Sequence, residues 1–439
     1  MPKKVLVFGA GGFLGEHVVA QLVAAGHTVL AVVRPGYSKA SPSSRVQLWS
    51  GDILDRSFVR TALDSVDAVV FSAGRTWRPG LELGQYQQHN VSITQAFFEA
   101  LHPCQSTRVV FTSSLSTIGG SAVPIIYAEG SGRGGICETK LSPYDRAKIE
   151  CEQIAVQRAA GGNNVVILNP GLMLGPGASA TSNLAAPFCL LWFLQGQFAA
   201  RFFVNGGVTL CDVRDVAAAH VAALELGNSG ERYILGGHNL DRRAFYERAA
   251  RLVGRRMPQE LPGSLLTGLT TISDGLTWLT AGRVTSPVHR SFARTQPLYY
   301  FGESQKAVSE LGYLPRPLEQ TMLDMIQHYQ SRSLLSARFQ FPVELTLETA
   351  PLFAMLRQLV DRSRYQRTLR ERLPELFHAC QSNHQLRDAL THLLSISQFN
   401  ARRGKYRWEH RSAKSDLQVL RKFLEYVYFG SSDFLRKVL

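Results

Sequence analysis

The sequence is poor in cysteine, and its potential metal ligands follow no regular spacing. The 439 residues include six cysteines and twelve histidines, and the cysteines form no Cys-x-x-Cys pair. A disulfide framework or a Cys/His metal site needs such residues at short, regular intervals. We therefore expect a protein of the reducing cytoplasm that has neither a structural disulfide nor a metal site.

Long uninterrupted apolar runs are also missing. The most apolar stretch, residues 184–204, is broken by Gln195 and Arg201, and a second stretch, residues 265–279, carries Asp274. A membrane-spanning helix needs about 20 predominantly apolar residues. We interpret both stretches as packed parts of a substrate-binding lobe, although either would also suit a membrane surface or the cover of an apolar ligand.

A glycine-rich turn follows the first apolar run of the chain. Residues 5–8 predict a buried strand, Gly9, Gly12 and Gly15 follow it, and residues 16–25 keep a helical period. In this context Gly9 permits a tight turn, Gly12 lets the backbone approach a pyrophosphate, and Gly15 lets the helix pack closely on the strand. Because helix N-termini favour anions, the turn predicts a dinucleotide site.

The end of the second predicted strand, residues 28–33, indicates which dinucleotide is favoured. Arg34 stands where an acidic side chain would bind the ribose hydroxyls of NAD. Arginine pairs instead with a 2′-phosphate, so NADP(H) is favoured and NAD(H) stays open. Asp52 and Ile53 follow the third predicted strand and are placed to flank the adenine.

A Tyr-x-x-x-Lys element, Tyr144 and Lys148, lies much further along the chain. Ser142 and Pro143 indicate a helix start, and the helical period puts both side chains on one face, one turn apart. A phenol that exchanges a proton at neutral pH must overcome about 3 pK units, roughly 4 kcal/mol. An ammonium about 4 Å away supplies an energy of that size at an effective dielectric of about 20. The pair therefore predicts acid–base chemistry at Tyr144.

Between these two elements, a predicted buried strand at residues 109–112 ends in Ser113 and Ser114. The carboxyl ends of strands in an open α/β sheet face the ligand crevice. A serine hydroxyl there can hold a substrate oxygen while charge develops on it. Ser114 is the first candidate for this role, and the sequence does not exclude Ser113.

Taken in order, these motifs resemble the extended or atypical short-chain dehydrogenases/reductases of the NAD-dependent epimerase/dehydratase superfamily. Within that family the sequence looks most like the branch of dihydroflavonol reductases and 3β-hydroxysteroid dehydrogenases. The resemblance covers about residues 3–330. Its motifs are the glycine turn, residues 51–53, 67–74, 90–91 and 112–114, the Tyr144/Lys148 pair, and residues 169–177, 212–217 and 231–237.

The resemblance implies an α/β fold with a Rossmann-type doubly wound parallel sheet, about residues 1–170, and a smaller substrate lobe, about residues 171–330. It implies that Tyr144 donates or accepts the proton, that Lys148 also binds the nicotinamide ribose, and that Ser114 polarises the substrate. Asp215 is expected to cap a helix near Val216. The residues expected at the cofactor are Gly9, Gly12, Phe13, Leu14, Gly15, Arg34, Asp52, Ile53, Ser72, Ala73, Gly74, Asn90, Ser113, Tyr144, Lys148, Pro170 and Gly171.

The substrate class is predicted from the segment after Gly177, which is rich in Phe and Leu, carries Trp192 and has few charges. This composition favours a small hydrophobic ketone or secondary alcohol over a nucleotide sugar, and hence a reductase or dehydrogenase. A nucleotide-sugar epimerase or dehydratase shares the catalytic residues and is the second hypothesis. A non-catalytic, cofactor-sensing scaffold is the third, and the complete set of Tyr144, Lys148 and Ser114 argues against it.

The last part of the chain departs from the family. Residues 331–342 are predicted as a linker, and residues 343–439 as an all-α domain. From residue 331 onward, 19 Lys and Arg face 10 Asp and Glu, a net +9 of the chain's +14. Such a module suits an anionic membrane surface or an acidic carrier protein, and nucleic acid ranks last because no binding motif appears. A solvated surface on a packing or homodimerisation domain is the alternative.

Overall fold

The structure is a computed structural model that describes residues 1–37, 43–78, 81–101, 107–131, 141–177, 190–196, 198–265, 268, 297–335, 350 and 354. The described residues belong to two compact units. The first unit comprises Met1–Cys189, Phe202–Ala244 and Gln259–Thr321, and the second comprises Leu190–Arg201, Phe245–Pro258 and Met322–Leu439. Of the predicted all-α domain at residues 343–439, only Ala350 and Ala354 belong to the described residues, so this prediction lies outside them.

The strands and helices are numbered in chain order. The strands are β1 (Lys4–Phe8), β2 (Thr28–Val33), β3 (Val46–Ser50), β4 (Ala68–Phe71), β5 (Arg108–Thr112), β6 (Ile126–Tyr127), β7 (Val165–Pro170), β8 (Leu172–Leu174), β9 (Phe202–Phe203), β10 (Gly207–Asp212), β11 (Arg232–Leu235), β12 (His238–Asp241), β13 (Gln259–Glu260) and β14 (Tyr299–Gly302). The helices are α1 (Phe13–Ala24), α2 (Arg56–Leu63), α3 (Leu83–Tyr86), α4 (Ser92–Ala100), α5 (Pro143–Ala160), α6 (Leu190–Gln195), α7 (Val213–Ala223), α8 (Arg242–Val253), α9 (Gln305–Leu311) and α10 (Leu318–Ser331). A π-helical turn, Gln87–Val91, joins α3 to α4, and a 3₁₀ turn, Leu115–Thr117, follows β5.

Seven parallel strands form the main sheet of the first unit in the order β3-β2-β1-β4-β5-β7-β11. The predicted doubly wound sheet is thereby confirmed. Successive side chains of a strand point to opposite faces, and both faces of this sheet are covered. Val5 and Val7 belong to one buried core and Leu6 and Phe8 to the other. The strand order reverses beside β1, and ligands bind at such a point, outside the carboxyl ends of the strands.

A smaller sheet in the same unit has the order β12-β10-β14-β6, with β8 also paired to β10. Most of its strands come from the region that was predicted as the substrate lobe. β6 comes from an earlier loop, which brings residues 126–127 beside β14. Among the helices that the structure describes, none is both long enough and apolar enough to cross a membrane.

Polar residues set the starts of two helices. Ser142 and Asp145 form a capping box at the start of α5, and Pro143 lies in its first turn. The helix start that Ser142 and Pro143 predicted is confirmed. The cap of α7 is Asp212, whose side chain accepts a hydrogen bond from the N–H of Arg214. The prediction that Asp215 caps this helix was wrong.

The carboxylate of Asp215 is instead engaged by Arg316, a residue far away in the sequence. Its two oxygens accept hydrogen bonds of 2.8 Å from the backbone N–H and from Nε of Arg316. The helix also begins at Val213, earlier than expected, so Asp215 already lies inside its first turn. A long-range ion pair therefore explains this acidic residue.

Candidate active site

The glycine turn joins β1 to α1, which begins at Phe13, three residues earlier than predicted. Gly9 has a φ of 83°, which residues with side chains rarely adopt. A Cβ on Gly15 would lie 2.0 Å from the carbonyl oxygen of Gly9, so only glycine lets α1 start against the turn. The first N–H groups of a helix have no partner within it, so those of Phe13 and Leu14 suit a phosphate. This cradle fits the pyrophosphate of a dinucleotide.

Arg34 lies exposed directly after β2, at the same edge of the sheet. Its carbonyl accepts the N–H of Tyr37 at 3.1 Å, and the ring of Tyr37 lies against Gly11. Burial and the positive charges of Arg75 and Arg34 lower the pKa of His89. Three basic side chains therefore gather at this end of the crevice, and the sequence had pointed to only one of them.

Asp52 and Ile53 follow β3 at this edge. The Asp52 side chain is exposed, and its Oδ1 accepts the N–H of Leu54 at 3.0 Å. Ile53 is half-buried and packs against one of the two cores of the sheet. Both residues lie at the end of the crevice that Arg34 occupies, and their contact with adenine stays a prediction.

The end of β4 is followed by Ser72 and residues 73–74. The Ser72 hydroxyl and N–H both donate to the carbonyl of Phe8, at 2.9 and 3.0 Å, which ties this loop to β1. Asn90, buried in the π-helical turn, accepts the N–H of Arg75 at 2.7 Å and donates to its carbonyl at 3.0 Å. The Asn90 amide therefore shapes the loop after β4 through the protein's own backbone.

Tyr144 lies in the first turn of α5, and its phenol lies near the hydroxyl of Ser114. The ring of Tyr86 lies edge-on to the Tyr144 ring, with 5.8 Å between the ring centroids. Burial raises the pKa of the Tyr144 phenol well above its usual range; the nearby Ser114 hydroxyl opposes this effect, and the neighbouring Asp145 adds to it. The structure thus brings together the predicted acid/base and the predicted substrate-polarising hydroxyl.

Lys148 lies one turn further along α5. Its Nζ donates to the carbonyl of Thr112 at 2.9 Å and lies 5.6 Å from the centroid of the Phe111 ring. Burial lowers the pKa of Lys148, and the nearby ionisable groups of Cys151 and Glu152 oppose this effect. The ammonium therefore lies at the end of β5, and its predicted effect on the acidity of the phenol stays a prediction.

Glu152, one further turn along α5, is the centre of a buried hydrogen-bond network under the loop after β5. Its Oε2 accepts hydrogen bonds from Ser113 Oγ at 2.5 Å, Thr117 Oγ1 at 2.6 Å and Asn169 Nδ2 at 2.6 Å. The Ser113 hydroxyl therefore points to Glu152, whereas that of Ser114 contacts Ser116, 3.1 Å from its Oγ, and lies near the phenol of Tyr144. This difference separates two serines that the sequence could not.

Pro170 ends β7, and Gly171 connects it to β8. Because β7 pairs with β5, with Leu168 opposite Thr112, these residues lie beside the serine loop. The N–H of Gly171 donates to the carbonyl of Leu235 at 3.0 Å. Their contact with the nicotinamide stays a prediction that this position supports.

Four polar residues of this region were not predicted from the sequence, although local sequence patterns could have indicated two of them. Glu152 follows Lys148 by one helical turn, which puts both on one face of α5. Asp145 stands at the third helical position, where a capping box has its acidic member. Ser116 and Tyr300 had no such signal, because only the tertiary fold brings them near Asp145.

Comparisons with known proteins agree with this architecture. The model of a family described as "NAD dependent epimerase/dehydratase family" matches residues 5–236. The chain is 26% identical over 346 residues to "Sterol demethylase protein B" of Methylococcus capsulatus, covering 75% of this chain and 99% of the relative. It is 26% identical over 348 residues to a "Putative dihydroflavonol 4-reductase" of Synechocystis, covering 76% and 96%.

A solved structure shows the same fold. It is described as a nucleoside-diphosphate-sugar epimerase from Pseudomonas aeruginosa, and it matches with a TM-score of 0.57 and 24% sequence identity. The match covers 76% of this chain and 99% of that chain. The two relatives and the solved structure each match about three quarters of this chain. About a quarter of the chain lies outside each of these matches.

Proposed function

The chain belongs to the NAD-dependent epimerase/dehydratase family, and from that premise we propose that it is an NADP(H)-dependent reductase of a small hydrophobic ketone. The observation that carries this proposal is the pair on α5, with Tyr144 in the first turn and the Lys148 ammonium one turn further along, bonded at 2.9 Å to the carbonyl of Thr112 at the start of the serine loop. The names of the two relatives, "Putative dihydroflavonol 4-reductase" and "Sterol demethylase protein B", support a hydrophobic substrate.

The catalytic residues act on the substrate oxygen. The Ser114 hydroxyl would donate to the carbonyl oxygen and hold the charge that develops on it. Tyr144 would then give its proton to that oxygen. When bound, the nicotinamide supplies the hydride to the carbonyl carbon. Burial raises the pKa of Tyr144, so the phenol holds its proton before the reaction, and the proposed role of Lys148 is to lower that pKa as the proton leaves in the reducing direction.

The preference for NADP(H) is proposed from the charge around Arg34. Arg34, Arg75 and His89 lie near one another, and Arg34 directly follows β2 at the carboxyl edge of the sheet. Arginine binds a phosphate through paired, charge-assisted hydrogen bonds and gains little from a ribose diol. NAD(H) remains the alternative, since it is the cofactor in the family's description.

Cofactor binding tests the first half of the proposal. NADPH and NADH are titrated into the wild-type protein and into Arg34→Ala, with nicotinamide fluorescence as the readout. We expect Arg34→Ala to weaken NADPH binding at least about tenfold, or about 1.4 kcal/mol, and to leave NADH binding nearly unchanged. Arg45→Ala is the matched control, because Arg45 is also exposed but precedes β3, at the opposite edge of the sheet. Equal losses in both variants would refute the assignment.

Turnover tests the second half. Oxidation of NADPH is followed with benzil, cyclohexanone and a steroid ketone, and the epimerase alternative is followed with UDP-glucose. We expect reduction of at least one ketone, and we expect Tyr144→Phe to lose it by about 10² to 10⁴-fold while binding NADPH normally. Conversion of UDP-glucose without ketone reduction would favour the epimerase or dehydratase alternative, which the family's description and the solved epimerase structure support.

A further inference from the structure

We infer that His17 is a positioning residue for the dinucleotide. It fastens the loop at residues 175–177 to α1 and thereby holds the start of that helix in the conformation that receives the pyrophosphate. The inference goes beyond the proposed function, because it applies to NADPH and NADH alike and to any substrate. It starts from a side-chain hydrogen bond that joins two distant parts of the chain.

This bond connects the second turn of α1 with the loop that follows β8. Nε2 of His17 lies 2.8 Å from the carbonyl oxygen of Pro176, and the two residues are 159 positions apart in the sequence. A carbonyl can only accept, so Nε2 carries the proton and donates it. Both residues are half-buried. Loss of the donor would therefore leave a carbonyl that water reaches only in part, which costs free energy.

The same loop also packs on the first residue of α1. A Cβ on Gly177 would lie 2.5 Å from Cε2 of the Phe13 ring, so the loop backbone lies directly against that ring. The Phe13 ring stands edge-on to the imidazole of His17, with 5.9 Å between the ring centroids and 89° between the planes. Residues four apart are neighbours on one face of a helix. The loop, the ring and the imidazole therefore form one packed contact beside the first turn of α1.

The other end of the loop is fixed on α7. Gly175 has a φ of 141°, which favours glycine, and a Cβ there would lie 2.8 Å from Cγ1 of Val213, the first residue of α7. The strand before it, β8, pairs with β10, with Leu174 opposite Asp212. The loop is thus anchored before it reaches α1. The His17 bond consequently ties the start of α1 to a support that is itself held in place.

The start of α1 is the part of the helix that a phosphate would contact. The first N–H groups of a helix, here those of Phe13 and Leu14, have no partner within it and bind anions when they point to one place. A donor that is already fixed loses less conformational entropy on binding. His17 would act only through Phe13 and the loop, without touching the phosphate. Because NADPH and NADH share the pyrophosphate, the effect of His17 must be the same on both.

The test uses two variants that disturb this contact from opposite sides. His17→Leu removes the donor, whereas His17→Gln keeps an N–H donor on a side chain of similar reach. Gly177→Ala pushes the loop away from the Phe13 ring. The matched control is His238→Leu, because Nε2 of His238 also lies near a backbone carbonyl, that of Arg316 at 3.0 Å, but at the start of β12 in the smaller sheet. NADPH and NADH are titrated into each variant with nicotinamide fluorescence as the readout, and melting temperatures are recorded.

We expect His17→Leu and Gly177→Ala to weaken the binding of NADPH and NADH by the same factor, about three- to tenfold, as the loss of one hydrogen bond or packing contact implies. His17→Gln should bind both within about twofold of the wild type. His238→Leu should lower the melting temperature about as much as His17→Leu does and leave both affinities unchanged. The equal factor separates this role from that of Arg34, whose replacement should affect NADPH alone.

Wild-type affinities for both dinucleotides in His17→Leu and Gly177→Ala would overturn the inference. A loss of the same size in His238→Leu would also overturn it, because the effect would then come from general destabilisation. Absence of a preference for NADPH, or of ketone reduction, would overturn the proposed function alone, since the role of His17 is measured by binding and with both dinucleotides.

Discussion

The hydroxyl of Thr112 lies 2.8 Å from Nε2 of His220, while the carbonyl of the same threonine accepts the ammonium of Lys148 at 2.9 Å. Nδ1 of His220 lies 2.7 Å from the carbonyl of Val216. A carbonyl can only accept, so Nδ1 carries the proton and Thr112 donates to Nε2. The last residue of β5 is therefore held from α7 on one side and from α5 on the other.

This arrangement predicts that His220 makes the fold sensitive to acid. Burial lowers the pKa of His220 from 6.5 to about 4. Between these two pH values the unfolded chain binds a proton that the folded chain does not, so the free energy of unfolding falls by about 3 kcal/mol as pH drops across this window. Urea unfolding at about pH 7 and about pH 4.5 should show a weaker dependence on pH in His220→Gln. His238→Gln is the control and should keep the wild-type dependence; an equal dependence in both variants would contradict the assignment.

The Glu152 network predicts a large effect of a small substitution. Glu152→Gln preserves the size of the side chain but removes the negative charge on which three buried donors converge. We expect the free energy of unfolding to fall by about 1–3 kcal/mol, and ketone turnover to fall as the serine loop loses its support. Glu150→Gln on the same helix is the control, because in the described part of the chain Glu150 accepts only from the amide of Gln87, at 3.0 and 3.2 Å. Equal costs for the two variants in urea unfolding would argue against the network.

The glycine turn predicts that an added methyl group at Gly15 separates α1 from β1. The Cβ of alanine would lie 2.0 Å from the carbonyl oxygen of Gly9, so the helix start must move. We expect Gly15→Ala to lose about 1–3 kcal/mol of stability and to bind NADPH more than tenfold more weakly. At Gly84 nothing lies within 4 Å of the position of a Cβ, so Gly84→Ala should retain both properties. Melting temperature and fluorescence titration measure the two effects, and normal NADPH binding by Gly15→Ala would refute this view of the turn.

The charge of residues 343–439 predicts binding to an anionic surface, which we propose from the sequence alone. We expect the full chain to sediment with vesicles of phosphatidylglycerol but not of phosphatidylcholine, and to be released as salt is added. Replacement of Arg402, Arg403, Lys405 and Arg407 by glutamine should weaken this binding severalfold. Unchanged binding in that variant, or equal binding to both kinds of vesicle, would leave an acidic carrier protein or a dimer contact as the role of the charge.

Local patterns predicted the parts of this protein that depend on neighbouring residues in the chain. The glycine turn, strand β2 and the start of α5 depend on backbone conformation and on capping within a few residues, so their sequence signals are strong. The spacing of Tyr144 and Lys148 likewise places both on one face of a helix whatever packs against it. The doubly wound sheet was predicted from the resemblance of the ordered motifs to the extended short-chain dehydrogenases/reductases, and those motifs are themselves local patterns.

The tertiary structure decided what depends on partners that are distant in the sequence. Ser113 and Ser114 are adjacent and chemically identical, but the Ser113 hydroxyl donates to Glu152 on the neighbouring helix and the Ser114 hydroxyl contacts Ser116. The meeting of Asp145 with Tyr300 likewise joins residues that are far apart in the chain. A sequence pattern specifies the local backbone conformation. Buried polar groups are almost always hydrogen-bonded, and long-range packing determines which residue is the partner.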